Sequence, residues 1–319
     1  MNFSAAPAGL EGVALPSFEA LRNISEREGV DAATTFLYRA VVDSPQHGEF
    51  MERIRSLSRE TDSSRPPAGV KLIIVPGGFY RENPRSGADG HVVREQAKRM
   101  GWPVDSIPVA STGSLLENAR TICRWLGEQR DSRMVLVSVS KGGSDLKLAL
   151  AQPEANSAFE HVVVWINLCG ILDGTPLAEW LLSWRVAAAL NRLYYRMLGL
   201  SLEFLRDLRR EPGCPLDFEL RLPAHLQMIS IVGFPLRRHL TSGMARRCHR
   251  RLAACGPNDG VIVLSDVCAQ PGLMYPVWGA DHYLRSGPDM SQLLGAVLRF
   301  VGTELARRQT ARSTTQANI

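Results

Sequence analysis

The pattern of apolar and polar positions changes character along this 319-residue chain. Up to residue 66 the apolar positions keep helical spacing, in Phe18 to Asn23, Ala32 to Val42 and Glu49 to Leu57, and no run reads as a strand. The breaker cluster Asp62-Ser63-Ser64-Arg65-Pro66-Pro67 then marks a boundary. Beyond it, short β-branched runs alternate with longer helical ones. Strands are predicted at Val70 to Val75, Val104 to Pro108, Met134 to Val139, His161 to Leu168, Met228 to Val232 and Val261 to Leu264. Helices are predicted at Gly90 to Met100, Leu115 to Glu128, Leu146 to Ala151 and Met290 to Arg307. This alternation predicts an α/β fold with a mostly parallel central sheet and helices on both faces. The unbroken apolar run Val162-Val163-Val164-Trp165-Ile166 suits a strand covered on both sides.

One connection is long. From Asp173 to about Pro223 no strand is predicted, and Leu181 to Arg210 reads helical, with Trp184, Leu190, Tyr194, Tyr195, Met197, Leu200 and Phe204. Such an insertion is either an active-site lid or a helical subdomain packed on the sheet. The last residues, Gln309 to Ile319, are polar and predict a disordered tail. The expected organisation is a helical extension over 1–66, a main domain over 67–308 with a helical cap over about 174–223, and a tail over 309–319.

Hydrophobic residues make up 45% and charged residues 22%, the balance of an ordinary globular protein. The net charge of +5 is mild, although Arg246, Arg247, Arg250 and Arg251 cluster. No basic stripe with interleaved aromatics is present, so nucleic-acid binding is not expected. Charged residues interrupt every apolar stretch before it is long enough to span a bilayer, and no integral membrane segment is expected. The N-terminus lacks the basic and apolar regions of a secretory signal. The six cysteines show neither a CxxC pair nor zinc spacing. Reduced thiols and a cytoplasmic location are the expectation.

The chemistry concentrates in Met134-Val135-Leu136-Val137-Ser138-Val139-Ser140-Lys141-Gly142-Gly143-Ser144, where a strand runs into a tight turn and a helix. A serine held at such a turn needs small residues two places either side, here Ser138 and Gly142, and it is then exposed at the carboxyl edge of the sheet. This nucleophile elbow makes Ser140 the candidate nucleophile and aims the amide of Lys141 at a substrate oxygen. A second amide is needed for an oxyanion hole, and Pro76-Gly77-Gly78-Phe79, after the first strand, offers that of Gly78 or Phe79. A serine hydroxyl also needs a base, and the base needs a carboxylate to hold its tautomer. His282, in Gly279-Ala280-Asp281-His282, falls where that base is expected, whereas the other histidines sit in strand-flanking, arginine-rich or early segments. Asp259, in Asn258-Asp259-Gly260, is preferred as the acid, with Asp173 as the alternative and Asp266 behind both. Asp281 adjoins the histidine and should point elsewhere. No cofactor or metal is called for: no cluster has ligand spacing, and neither G-x-G-x-x-G nor a Walker pattern occurs.

These segments together resemble the α/β-hydrolase superfamily, in its lipase- and esterase-like branch, over roughly residues 68 to 303. The resemblance implies an eight-stranded, mostly parallel sheet, a Ser-His-Asp triad and a cap after the sixth strand, a place that the Asp173 to Pro223 insertion matches. Ser138 departs from the usual glycine, Pro76 from the histidine common before the oxyanion glycine, and the helical extension is additional. The implied reaction is acyl transfer through an acyl-enzyme on a small-molecule or lipid-like ester. A thioesterase or acyltransferase would use the same triad, and a non-catalytic binding protein of the same fold is the reading from another class.

Overall fold

The computed structural model describes residues 15–60, 66–129, 132–183, 203–285 and 287–317. Three helices come first: α1 (Phe18–Glu28), α2 (Val30–Asp43) and α3 (Pro45–Arg59). Then follow β1 (Val70–Val75), α4 (His91–Arg99), β2 (Val104–Ser106), α5 (Leu115–Gly127), β3 (Arg133–Val139), α6 (Lys141–Leu150), α7 (Ala155–Ala158) and β4 (Val162–Leu168). The insertion holds α8 (Pro176–Ser183) and α9 (Glu203–Asp207). The chain closes with β5 (Gln227–Phe234), α10 (Gly243–Leu252), α11 (Leu264–Cys268), β6 (Leu273–Trp278) and α12 (Met290–Ala317).

The described strands form one sheet of six in the order β2-β1-β3-β4-β5-β6, and every pairing is parallel. Among the described residues there are six strands where the resemblance implies eight, and the insertion follows the fourth of them. Side chains alternate across the sheet, so each central strand buries two apolar rows. Leu72, Ile74, Val135 and Val137 pack on one face with Phe50, Ile54 and Leu57 of α3 and Val297 and Val301 of α12. Ile73, Val75, Met134 and Leu136 pack on the other with Ala119 and Ile122 of α5 and Leu146 of α6.

The N-terminal helices belong to this core. Leu21, Leu37 and Val41 pack with Val232, Phe234 and Met274. Helix α3 runs against the outer edge of β6, where His47 Nδ1 accepts from the Met274 amide at 3.3 Å and Gln46 Nε2 donates to the Gly272 carbonyl at 3.1 Å.

The strand expected at Val261 to Leu264 needs correction. Val261 to Leu264 forms no strand: the carboxylate of Asp259 accepts from the amides of Val261 and Ile262, both at 2.8 Å, so the backbone donors that a ladder would use are taken within the loop. The last strand is instead Leu273–Trp278, which carries Pro276; proline lacks a ladder donor but is tolerated here because β6 is an edge strand. The final helix spans Met290–Ala317. Most of the helical reading over Leu181 to Arg210, including Trp184 to Leu200, lies outside the described residues.

Candidate active site

The turn between β3 and α6 places Ser140 at φ 50°, ψ −116°, one of four non-glycine residues with positive φ among those described. Its amide donates to Leu168 O at 2.9 Å, and its carbonyl accepts from the amides of Gly143 at 2.9 Å and Ile171 at 3.2 Å. The strained backbone is thus pinned from β4 and from the helix it opens. Gly142 explains the need for a small residue after the turn: a Cβ there would lie 2.8 Å from Pro76 O and would also strike Val75 O. Before the turn, the buried Ser138 is held in a side-chain relay, donating to Asn167 Oδ1 at 2.9 Å and accepting from Trp165 Nε1 at 2.8 Å.

Ser140 Oγ lies 2.9 Å from His282 Nε2, and His282 Nδ1 lies 2.8 Å from Asp259 Oδ2. Asp259 and His282 are buried, and the hydroxyl is partly accessible. The loops holding the pair are tied to each other, since the His282 amide donates to Asp259 O at 3.1 Å. Asp281 takes the amides of Tyr283 at 3.0 Å and Arg285 at 3.2 Å, which shapes the turn carrying the histidine. Asn258 Nδ2 donates to His249 O of α10 at 3.3 Å, anchoring the Asp259 loop on that helix.

Asp173 is not brought to the histidine. It accepts from Lys147 Nζ at 2.6 Å and Gln270 Nε2 at 2.8 Å. Asp266 pairs with Arg210 at 2.7 Å, and burial, opposed by that arginine, raises its carboxyl to about 7. Of the two glycine-loop amides, that of Phe79 donates to Ser111 O at 3.3 Å. The amides of Gly78 and of Lys141, the first residue of α6, make no such bond among the described residues and remain available for a ligand. The Lys141 side chain turns inward: its ammonium meets both oxygens of Asp145, at 2.8 and 2.9 Å, and Asn118 donates to the same carboxylate at 3.0 Å.

A cavity of about 830 Å³ opens over Ser140 and His282. Its wall is mainly apolar, with Ile171 and Leu294 from the main domain and Leu177, Leu181, Phe204 and Leu208 from the insertion, while Arg85 and Arg285 also border it.

Sequence reasoning missed Cys169. Its sulfur, a carboxylate oxygen of Asp259 and a ring nitrogen of His282 lie within 4.8 Å of one another, so these three could in principle hold a metal ion. They come from separate loops, which no spacing rule detects. Burial and then the charge of Asp259 raise the Cys169 thiol well above its ordinary range, and the Asp259 and His282 atoms already serve each other and Ser140. The set fits a thiol packed beside a hydrogen-bonded chain better than a metal centre, which needs a thiolate.

No protein-family model matches the chain, and no curated protein matches it. Solved structures do. A metagenomic carboxyl esterase superposes with a TM-score of 0.60 at 23% identity, over 77% of this chain and 79% of that one. The mature form of a Bacillus licheniformis lipase gives a TM-score of 0.52 at 20% identity, over 73% of this chain and 91% of that one. The chain therefore has the α/β-hydrolase fold, and these solved neighbours carrying it are an esterase and a lipase.

Proposed function

We propose that this protein is a serine hydrolase of carboxylic esters, with Ser140 as nucleophile, His282 as general base and Asp259 as the carboxylate that orients the ring. The observation that carries the reading is the unbroken chain of contacts from Ser140 Oγ to His282 Nε2 at 2.9 Å and from Nδ1 to Asp259 at 2.8 Å. With Asp259 accepting from Nδ1–H, the lone pair of Nε2 faces the hydroxyl. As Oγ bonds to the substrate carbonyl carbon, its proton passes to Nε2 and the carbonyl π pair moves to oxygen. The amides of Lys141 and Gly78 receive that oxyanion. Collapse expels the alkoxide, which takes the proton from Nε2, and water then releases the acid from the acyl-enzyme by the same base.

The apolar cavity supports a lipid-like acyl ester, and the insertion over residues 174–223 serves as its cap, contributing Leu177, Leu181 and Phe204 to the wall. Six free cysteines suit a cytoplasmic setting. Among the described residues no helix is long and apolar enough to cross a membrane.

The test is labelling with a fluorophosphonate probe and turnover of p-nitrophenyl esters of increasing chain length. Labelling is expected in the native protein and lost in Ser140→Ala, with turnover down by about 10⁴ or more. Equal turnover in that variant overturns the assignment. Folded native protein that is never labelled points instead to a binding protein of the same fold.

A further inference from the structure

Helix α10 reads GMARRCHRRL. At 3.6 residues per turn, Arg246, Arg250, Arg247 and Arg251 fall within an arc of about 140°. All four are exposed, whereas Cys248, His249 and Leu252 face inward. Met244, at the flank of the arginine arc, is 66% exposed. The surrounding sequence sharpens the bias: from Leu220 to Asn258 there is no aspartate or glutamate, against seven arginines. Asp31 reaches the margin of this region, accepting from the Arg237 amide at 2.9 Å.

The inner side of this helix packs against the cavity wall. Cys248 and Leu252 of α10 pack with Leu177 of α8, whose neighbours Ala178 and Leu181 line the cavity. Arg247 and Arg251 lie over the ring of Trp180 on α8, at 5.5 and 6.0 Å. Among the large apolar side chains left exposed are Leu181, at 43%, and Tyr283, at 51%, both on the cavity wall. Arg285, stacked on Tyr283 at 4.8 Å, adds a cation there.

We infer that the outer face of α10 with its flanking Met244, together with Leu181 and Tyr283 exposed at the cavity, is a docking surface for an anionic lipid interface. A basic arc flanked by apolar side chains is the arrangement that lies in a headgroup layer, where the cations meet lipid phosphates and the apolar groups enter the acyl boundary. Helix α10 itself carries no Phe, Tyr or Trp side chain, its exposed apolar residue being Met244, so the row of stacking platforms that single-stranded nucleic acid uses is not built on it. That the surface delivers lipid esters to the cavity rests on the hydrolase reading; adsorption itself does not.

The experiment is co-sedimentation of the full chain with vesicles of phosphatidylcholine alone or mixed with phosphatidylglycerol, using the Ser140→Ala protein in parallel so that binding is read without turnover. Binding is expected only with phosphatidylglycerol, in both proteins, and should weaken as salt screens the charges. Each arginine near an anionic surface contributes roughly fivefold. Arg250→Gln with Arg251→Gln should therefore lower binding by about 25-fold, with an unchanged urea denaturation midpoint as the check on folding. Arg120→Gln with Arg124→Gln, exposed on α5, removes the same charge and should change it little. Equal losses in the two pairs, binding indifferent to phosphatidylglycerol, or α10-dependent binding to DNA without vesicle binding would each overturn the inference. Vesicle binding without any hydrolase activity would leave it standing and sink only the enzyme assignment.

Discussion

The ammonium of Lys141 lies 2.8 and 2.9 Å from the two carboxylate oxygens of Asp145, one turn further along α6, and both side chains are shut off from solvent. The pair sits directly behind the amide proposed to face the substrate oxygen. Burial pushes the Asp145 carboxyl up to about 6 despite the pull of Lys141, a sign that desolvation is large. Asp145→Asn would strand a buried cation and should cost about 3–5 kcal/mol, whereas the double variant Lys141→Met, Asp145→Leu should recover most of it. Urea denaturation of the three proteins measures this, and a double variant no more stable than Asp145→Asn would contradict it.

Ser138 departs from the glycine usual at its position, but substituting that glycine should not help. Ser138→Gly removes the acceptor for the buried Trp165 Nε1 and the donor to Asn167. An unsatisfied buried group costs about 1–3 kcal/mol, and the added glycine roughly 0.5–1 kcal/mol more in backbone entropy. A lower denaturation midpoint is expected, and an unchanged or raised one would show that the relay contributes nothing.

The paired glycines after β1 should respond unequally. A Cβ on Gly77 would lie 2.8 Å from Val139 O and 3.4 Å from Ser140 Cβ, so backbone beside the proposed nucleophile must move. A Cβ on Gly78 would meet Lys141 Cδ at 3.5 Å, ordinary contact. Misplacement of reacting groups by about 1 Å costs on the order of 10² in rate. Gly77→Ala should lose that much in kcat/KM on a short-chain ester, and Gly78→Ala only a few-fold. The reverse order would place the close approach elsewhere.

The pH dependence of stability should carry the mark of Asp266. Its folded-state value, raised to about 7 chiefly by burial, exceeds the ordinary 3.8 of the unfolded chain. The neutral form is thus favoured by folding: the contribution is complete below about pH 4 and fades as pH rises through 7. Wild type should lose stability relative to Asp266→Asn across that window, read as urea midpoints at stepped pH. Parallel profiles for the two proteins would show that Asp266 ionises normally.

Much of the sheet was legible because β1, β3 and β4 are runs of Val, Ile and Leu bounded by turn residues, and such runs occur where both faces are covered. The strand Leu273–Trp278 was not, because Pro276 and the polar turns around it break the pattern that identifies strands. Val261 to Leu264 misled for the opposite reason: its β-branched residues suit a strand, but a carboxylate two residues upstream captures its amides. At the candidate site, the order of Ser140, Asp259 and His282 could be read, and Asp259 ranked over Asp173. What spacing could not convey is closure in space. That Asp173 faces Lys147, that Phe79 gives its amide to Ser111 and that Cys169 arrives beside Asp259 all depend on how separate loops meet above the sheet.

The contact between α3 and β6 changes what the N-terminal helices are for. An edge strand presents an open row of amides and carbonyls, a template on which another chain can assemble. Here His47 and Gln46 occupy part of that row, and Phe50 packs edge-on against Tyr275. Removing the first sixty or so residues would therefore not yield a trimmed but intact α/β domain. It would uncover a sticky margin of sheet together with the apolar faces of α12 and β6, and the expected product is a self-associating protein.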